Sequence, residues 1–186
     1  MDVLTAIYSR RSQGKVKLDQ IPHNLIGKLL TAAVQAPNHF KVRPWRFTVL
    51  TGSGLEKFGD QLASVFSAKF PDVTPEAIEK ERQKAFRAPL IISVGVDLPS
   101  DTKINEVENI AAAAAACQNI LLAATALGLA TIWRTGDAAR DPEIKKFFGL
   151  LPEQHLIGLL YIGYPDQITS EGSVRPSFDD RTVWME

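Results

Sequence analysis

The stretch EVENIAAAAAACQNILLAATAL, residues 106–127, decides the fold, because its composition leaves few places where a helix of this kind can lie. The pattern predicts one long helix from Glu106 to Leu127. Six alanines in a row, Ala111–Ala116, make the helix small and apolar all round, and such a helix must be packed on several sides. It is either the core helix of a monomer or a core helix that also packs at a subunit interface. We favour the interface, because a chain of 186 residues offers limited cover.

The same region has the length of a membrane span. Residues 110–130 carry no charge, and a span needs about 20 apolar residues. Most of these residues are alanines, which bring little apolar area, and the amides of Gln118 and Asn119 would need hydrogen-bond partners in lipid. The sequence therefore predicts a helix of the protein core and no membrane association.

Strands and helices alternate on both sides of this helix, which indicates an α/β or α+β chain with one layered core. Predicted strands are Trp45–Leu50, Leu90–Val96, Ala130–Trp133 and Leu156–Ile162. Predicted helices are Asp2–Ser9, Asn24–Ala36 and Leu55–Phe66, with two more beginning at Thr74-Pro75-Glu76 and Asp141-Pro142. In the first helix, Val3, Leu4 and Ile7 are expected on the buried side.

The composition excludes several classes of protein. The chain has 21 basic and 21 acidic side chains, so it lacks the basic excess typical of a nucleic-acid binder. Its single cysteine, Cys117, allows neither an intramolecular disulfide nor a multi-thiolate metal site, and it suits a reducing compartment. Asp2 stands where a signal peptide would carry positive charge, so we expect a cytoplasmic protein.

Common catalytic motifs are absent from the sequence. It has no GxxxxGK[ST], GxGxxG, HExxH, CxxC or GxSxG pattern. His23, His39 and His155 are far apart in sequence and lack the spacing of metal ligands. The sequence thus gives no support for a hydrolase triad or a metal centre, and we assign no catalytic side chain.

Three polar segments remain as candidates for binding. Arg10-Arg11-Ser12 offers two guanidiniums and a hydroxyl that suit a phosphate, although a solvated basic helix end is an alternative. The loop that begins with Gln35-Ala36-Pro37-Asn38-His39 and leads through Arg43-Pro44 into a strand is held by two prolines. It presents amides to a flat heterocycle, or is a simple polar connector. The third segment, Trp133-Arg134-Thr135-Gly136, lies at the end of a predicted strand. Its tryptophan could pack on the core while Arg134 reaches a charged ligand. Its alternative is an ordinary turn.

The order of these segments resembles the nitroreductase family of FMN flavoproteins along nearly the whole chain. The matching blocks are RRS at 10–12, QAPNHFKVRPWRF at 35–47, FRAPLIISV at 86–94, AACQNILLAATALGLATIWRTG at 115–136 and LIGLLYIGYP at 156–165. The likeness is greatest to the short bacterial form with a WR[ST]G turn.

The resemblance implies an α+β fold: a three-layer sandwich with a mixed sheet flanked by helices, formed by one domain over residues 1–186. It also implies an intertwined homodimer with FMN at the interface. FMN would take hydride from NAD(P)H and reduce nitroaromatic, quinone or related acceptors in a ping-pong reaction. A flavin-binding carrier or sensor, or a family member of different flavin chemistry, is the alternative.

The resemblance also assigns binding residues. Arg10, Arg11 and Ser12 would hold the phosphate and ribityl end of FMN, and Gln35 and His39 would approach the flavin from the partner subunit. Trp133, Arg134, Thr135 and Gly136 would complete the site. A nicotinamide-nucleotide contact would involve Ala123, Ala124, Thr125, Ala126, Leu127 and Gly128.

The chain departs from the family pattern at the phosphate end. Many members have a basic residue two positions after the serine of RRS, where this chain has Gly14, and Lys15 is a substitute. The usual C-terminal arginine that reaches the phosphate is also not obvious. Arg175 and Arg181 are the candidates.

Overall fold

A computed structural model describes residues 1–167 and 175–186. The helices are α1 (Val3–Ser9), α2 (His23–Ala33), α3 (Ser53–Lys69), α4 (Pro75–Arg82), α5 (Glu106–Ala126) and α6 (Pro142–Phe147). The strands are β1 (Val16–Lys17), β2 (Trp45–Leu50), β3 (Leu90–Val96), β4 (Ala130–Arg134) and β5 (His155–Pro165). The elements predicted from the sequence are confirmed. Their bounds differ in places: α2 ends at Ala33 instead of Ala36, and α3 and β5 extend beyond the predicted Leu55–Phe66 and Leu156–Ile162. The polar stretch after α1 also contains the short strand β1.

Four helices begin where a short polar side chain accepts hydrogen bonds from the first free N–H groups, whereas α2 and α3 have no side-chain cap. Asp2, Thr74 and Asp141 cap α1, α4 and α6 in this way. Asn105 caps α5, and the carboxylate of Glu108 reaches back to the Asn105 N–H to complete a capping box. The start of the central helix is thus fixed by local sequence.

The strands form a five-stranded sheet around β5. On one side β5 pairs with β3, which pairs with β2, and on the other side it pairs with β4 and β1. All of these pairings are antiparallel. The parallel component expected of a mixed sheet is limited, within the described residues, to one bridge between Ser12 and Thr131.

Helices cover both faces of the sheet, so the chain is a three-layer α+β sandwich, as the family resemblance implies. Side chains of a strand alternate between faces. Ile92 and Leu160 therefore pack with α2 and α5 in one buried cluster. Ile91 and Leu159 pack with α3 and α6 in a second cluster on the opposite face.

The long helix α5 lies in the core, although within the described residues it is a helix long and apolar enough to cross a membrane. Ala113, Cys117 and Ile120 on its inner side have no exposed surface. Burial raises the pKa of the Cys117 thiol to about 12. The opposite side is open in the single chain, where Val107 is 67% exposed and Gln118 is also exposed.

The helix α1 does not bury the side chains that the sequence indicates. Val3 and Leu4 are 65% and 55% exposed, and Ile7 is 38% exposed. Ala6 is the residue of α1 that is buried in the single chain. The prediction for the buried side of α1 is therefore wrong for one chain, because α1 turns a different side toward α5.

Gly158 in β5 is required by its neighbour on β4. A Cβ atom there would overlap the indole nitrogen of Trp133 and lie 3.0 Å from the carbonyl oxygen of Arg134. That indole donates a 3.1 Å hydrogen bond to the carbonyl oxygen of Ile157. We expect Gly158→Ala to lower the free energy of unfolding in urea by about 1–3 kcal/mol, because Trp133 must move.

Gly27→Ala is the matched control for this substitution. Gly27 lies inside α2, and nothing stands within 4 Å of a Cβ atom built on it. The control should raise the free energy of unfolding by about 0.5–1 kcal/mol, because alanine favours a helix over glycine. Equal effects of the two substitutions would contradict the assigned contact.

Candidate functional site

The segment after α1 lies alongside the edge strand β4. Ser12 forms the parallel bridge with Thr131, and the Gln13 N–H donates a 2.8 Å hydrogen bond to the Thr131 carbonyl oxygen. A Cβ atom on Gly14 would lie 3.6 Å from Nη2 of Arg134. The structure thus brings together two segments that are more than a hundred residues apart in sequence, Arg10–Ser12 and Trp133–Gly136.

Alternation along β4 sends Trp133 and Arg134 to opposite faces. Trp133 packs against the cluster beneath α5. The Arg134 guanidinium lies 5.6 Å from the centroid of the Tyr161 ring, within range of a cation–π interaction. Its Nε atom is buried and has no hydrogen-bond partner among the described residues. Beyond it, Thr135 and Gly136 are exposed, and Gly136 has a φ of 33°.

Three arginines gather at the end of α1. Nη2 of Arg175 donates a 3.1 Å hydrogen bond to the Arg10 carbonyl oxygen, and Nη1 of Arg11 donates to the Tyr8 carbonyl oxygen at 2.6 Å. The Nε atom of Arg11 is buried without a partner among the described residues. Burial and the charges of Arg175 and Arg11 lower the pKa of Arg10. We call Arg10, Arg11 and Arg175 the arginine cluster.

The arginine cluster has no carboxylate partner within residues 1–167 and 175–186. Like charges held together without a counter-ion make a place where an anion binds favourably. Of the two C-terminal candidates for the phosphate-binding arginine, Arg175 belongs to the cluster, because it is hydrogen-bonded to Arg10. Arg181 is instead highly exposed and pairs with Asp180 at 3.2 Å. Lys15 is exposed beside Gly14.

A cavity of about 480 Å³ opens on the Arg134 side of the sheet. β4, β5, α3 and the segment from α4 to β3 all contribute to its lining, which includes Tyr161, Glu81, Lys84 and Arg87. Glu81 and Lys84 form an ion pair, whereas Arg87 has no carboxylate partner in the described part of the chain. Burial raises the pKa of the Tyr161 phenol, and the nearby charges of Arg134 and Arg87 oppose this shift.

The sequence reasoning missed Lys84, Arg87 and Tyr161 as lining residues. A signal for the two cations exists in the stretch ERQKAFR at 81–87, which places basic residues directly before a buried strand. The sequence does not indicate that Tyr161 lines a cavity, because it lies inside the apolar run LIGLLYI, which is typical of a core strand.

Gln35 and His39 do not meet the other candidates within one chain. Both are exposed in the loop before β2, and Nε2 of Gln35 donates to the Thr31 carbonyl oxygen at 3.3 Å. β2 and β4 are separated by β3 and β5, so they lie roughly 14 Å apart at the usual strand spacing.

The loop before β2 is held in an unusual backbone conformation. Phe40, Lys41 and Arg43 have φ values of 49°, 56° and 51°, in the left-handed region that side chains other than glycine rarely adopt. The Asn38 side-chain oxygen accepts a 2.9 Å hydrogen bond from the Arg43 N–H and helps to fix the loop. Strain of this kind is concentrated at functional sites.

The segment from Ala123 to Gly128 forms the end of α5 and the turn before β4, whereas Arg134 lies at the far end of that strand. The two ends of β4, Ala130 and Arg134, are themselves roughly 13 Å apart in an extended strand. Ala124 is fully buried, the Thr125 hydroxyl donates to the Leu121 carbonyl oxygen at 2.9 Å, and Ala126 and Gly128 are exposed. Ala123 and Leu127 are half-buried against the core. The structure does not bring this segment to the cavity.

A family model and a similar protein both relate this chain to the nitroreductases. The model of the Nitroreductase family matches residues 7–164. The YdjA protein of Escherichia coli (strain K12), classed by name among the NAD(P)H nitroreductases, is 33% identical over 165 residues, 89% of each chain.

Solved structures share the fold over the whole chain. A nitroreductase-like family protein from Bacillus cereus is 26% identical with a TM-score of 0.85, covering 100% of this chain and 97% of its own. A nitroreductase from Desulfovibrio desulfuricans in complex with FMN is 26% identical with a TM-score of 0.75, covering 100% and 98%. The extent of the family match and the identity to YdjA show that this chain belongs to the nitroreductase family.

Proposed function

We propose that the protein is a cytoplasmic, homodimeric FMN oxidoreductase that takes reducing equivalents from NAD(P)H and passes them to nitroaromatic, quinone or related acceptors. The observation that carries this proposal is the arginine cluster, which lacks a counter-ion among the described residues and lies beside the strand that lines the cavity. The D. desulfuricans relative with bound FMN supports the choice of cofactor.

The residues present fit the phosphate end of FMN. Arg10 and Arg175 would bind it with charge-assisted hydrogen bonds, and the free Nε of Arg11 and the exposed hydroxyl of Ser12 add donors. The change at Gly14 also has a physical reason. A basic side chain at position 14 would lie close to the Arg134 guanidinium and be repelled by it. Arg134 would therefore supply the positive charge that many family members have at position 14.

The ring end of FMN would lie along the end of β4. Arg134 has a buried Nε free to donate, and the exposed backbone of Thr135 and Gly136 permits close approach of a flat ring system. Bound FMN supplies the chemistry, since it accepts hydride from NAD(P)H and delivers two electrons to the acceptor. Arg134 and Arg87 line the cavity without carboxylate partners among the described residues. They would place positive charge beside the flavin and stabilise the negative charge of its reduced form.

Donor and acceptor would occupy the cavity in turn, which gives a ping-pong reaction. The protein's part is to bind, orient and exclude water, so the proposal requires no triad or metal. Among the described residues, no group of three or more His, Cys, Asp or Glu side chains is placed to hold a metal ion.

The proposed homodimer accounts for apolar surface that one chain leaves open. Leu4 and Tyr8 of α1 are 55% and 69% exposed, and Trp184 and Met185 of the C-terminal segment are 76% and 93% exposed. Covering such side chains favours association. A second copy would also supply Gln35 and His39, which lie too far from Arg134 in the same chain, so the site would be shared.

The phosphate assignment is tested by comparing FMN with riboflavin, which lacks the phosphate. Arg175→Ala and Arg10→Ala should each weaken FMN binding by about 10- to 100-fold, because a charge-assisted hydrogen bond is lost. Riboflavin affinity, measured by quenching of flavin fluorescence, should stay nearly constant. Arg181→Ala is the control, since Arg181 pairs with Asp180 away from the cluster. Equal losses for both flavins would place the arginines elsewhere.

The dimer is tested by placing a charge on α1. Leu4→Asp should raise the dimer dissociation constant by about tenfold or more, because a carboxylate must then be buried at the interface. Sedimentation velocity measures dimerisation, and the ratio of flavin to protein absorbance measures FMN occupancy, which should fall too. Leu151→Asp is the matched control, since Leu151 is 58% exposed in the loop between α6 and β5, outside the segments assigned to the interface. A stable 20.4 kDa wild-type monomer with full FMN occupancy would refute the shared site.

The reaction is tested with anaerobic holoprotein. NADH or NADPH should bleach the flavin absorbance, and a nitroaromatic or quinone should restore it without the nucleotide present. Steady-state rates should give parallel double-reciprocal lines, as a ping-pong reaction requires. Protein that takes up no FMN would overturn the proposal, and bound FMN that neither nucleotide bleaches would favour a carrier or sensor.

A further inference from the structure

One wall of the cavity is aromatic and belongs to the C-terminal turn of α3. The rings of Phe66 and Phe70 lie 5.1 Å apart with their planes inclined by 55°, and both line the cavity. The ammonium group of Lys69 lies 5.6 Å from the centroid of the Phe70 ring. We call Phe66, Lys69 and Phe70 the α3 wall.

Lys69 differs from the other lysine of the cavity in its charge environment. Lys84 is paired with Glu81, whereas Lys69 has no carboxylate partner in residues 1–167 and 175–186. Lys69 is exposed and Phe70 is 45% exposed, so this part of the cavity lining is accessible to solvent. Its ammonium group is therefore available to a ligand.

The residues assigned to FMN and the α3 wall lie on different parts of the chain. The arginine cluster is joined to β4 through the Ser12–Thr131 bridge, and Arg134 continues the charged surface to the end of that strand. The α3 wall has no hydrogen bond to either segment within the described residues. Flavin bound along β4 would leave the α3 wall to the second ligand of the cavity.

We propose that the α3 wall is the acceptor compartment and that it selects planar aromatic acceptors carrying a carboxylate or other anionic group. The proposal rests on the proposed function, because it assumes flavin along β4. Phe66 and Phe70 offer ring faces and edges to a planar molecule. Lys69 adds an attraction that only an anionic ligand experiences.

The test compares two ligands of similar shape, para-nitrobenzoate and the neutral para-nitrobenzamide. Isothermal titration calorimetry measures their binding to the oxidised holoprotein, and wild type should bind the benzoate more tightly. Lys69→Gln should weaken the benzoate by about fivefold and change the amide by less than about twofold, as expected for a partly exposed charge pair. Phe66→Leu should weaken both ligands by about three- to tenfold, because an aromatic contact is lost at similar volume.

Lys57→Gln is the matched control for Lys69→Gln. Lys57 is exposed on the same helix, does not line the cavity and should leave both affinities unchanged. FMN affinity is measured for every variant and should equal that of wild type. Loss of FMN affinity in Phe66→Leu would assign the α3 wall to the flavin and overturn the proposal.

Two other outcomes would also overturn it. Lys69→Gln that weakens both ligands equally, or neither, would remove the charge selection. Failure of the proposed function is seen separately, as flavin that neither NADH nor NADPH bleaches in wild type. Calorimetric binding is independent of that electron transfer and still decides the role of the α3 wall.

Discussion

The structure depends on the burial of both faces of its central strands. β3 and β5 carry large apolar side chains on alternate faces, so each face needs its own layer of helices. On one face the cover comes from α5, whose alanines let a long helix pack closely against the sheet and α2. β4 pairs with β5 on the side opposite β3 and lies beside the segment that follows α1.

The position of β4 in turn determines the site. One strand sends Trp133 into the core and Arg134 into the cavity, so a structural anchor and a ligand-binding cation are neighbours in sequence. Gly158 allows the anchor to lie close to β5, which holds the backbone that carries Arg134. The packing of Trp133 thus supports the backbone that carries Arg134.

The layers were predictable from local pattern, because continuous apolar runs mark LIISVGV and LIGLLYI, and polar caps mark helix starts such as Thr74. The pairing partners of those strands were not predictable, since non-local contacts leave no local period. The buried side of α1 was predicted wrongly, because the helix buries Ala6 against its own chain and leaves Val3, Leu4 and Ile7 exposed.

The candidate site divides in the same way. Arg10–Ser12 and Trp133–Gly136 have a local signature, and the structure places them side by side. The sequence does not distinguish Arg175 from Arg181, because both are isolated basic residues near the C-terminus. The structure does, because only Arg175 is hydrogen-bonded to Arg10. The role of Tyr161 in lining the cavity was not predictable. The apolar run around it predicts a buried strand but does not indicate which face of the sheet borders a cavity.

The hydrogen bond from Arg175 to Arg10 joins positions near the two ends of the chain, 165 residues apart in sequence. An anion that binds the arginine cluster would strengthen this link and act as a non-covalent cross-link between the termini. Unlike a disulfide, such a link forms only in the folded chain and leaves the unfolded chain unrestricted. Because a ligand of the folded state alone stabilises it by mass action, inorganic phosphate in the buffer would raise the resistance of the flavin-free protein to heat and to proteolysis at its ends.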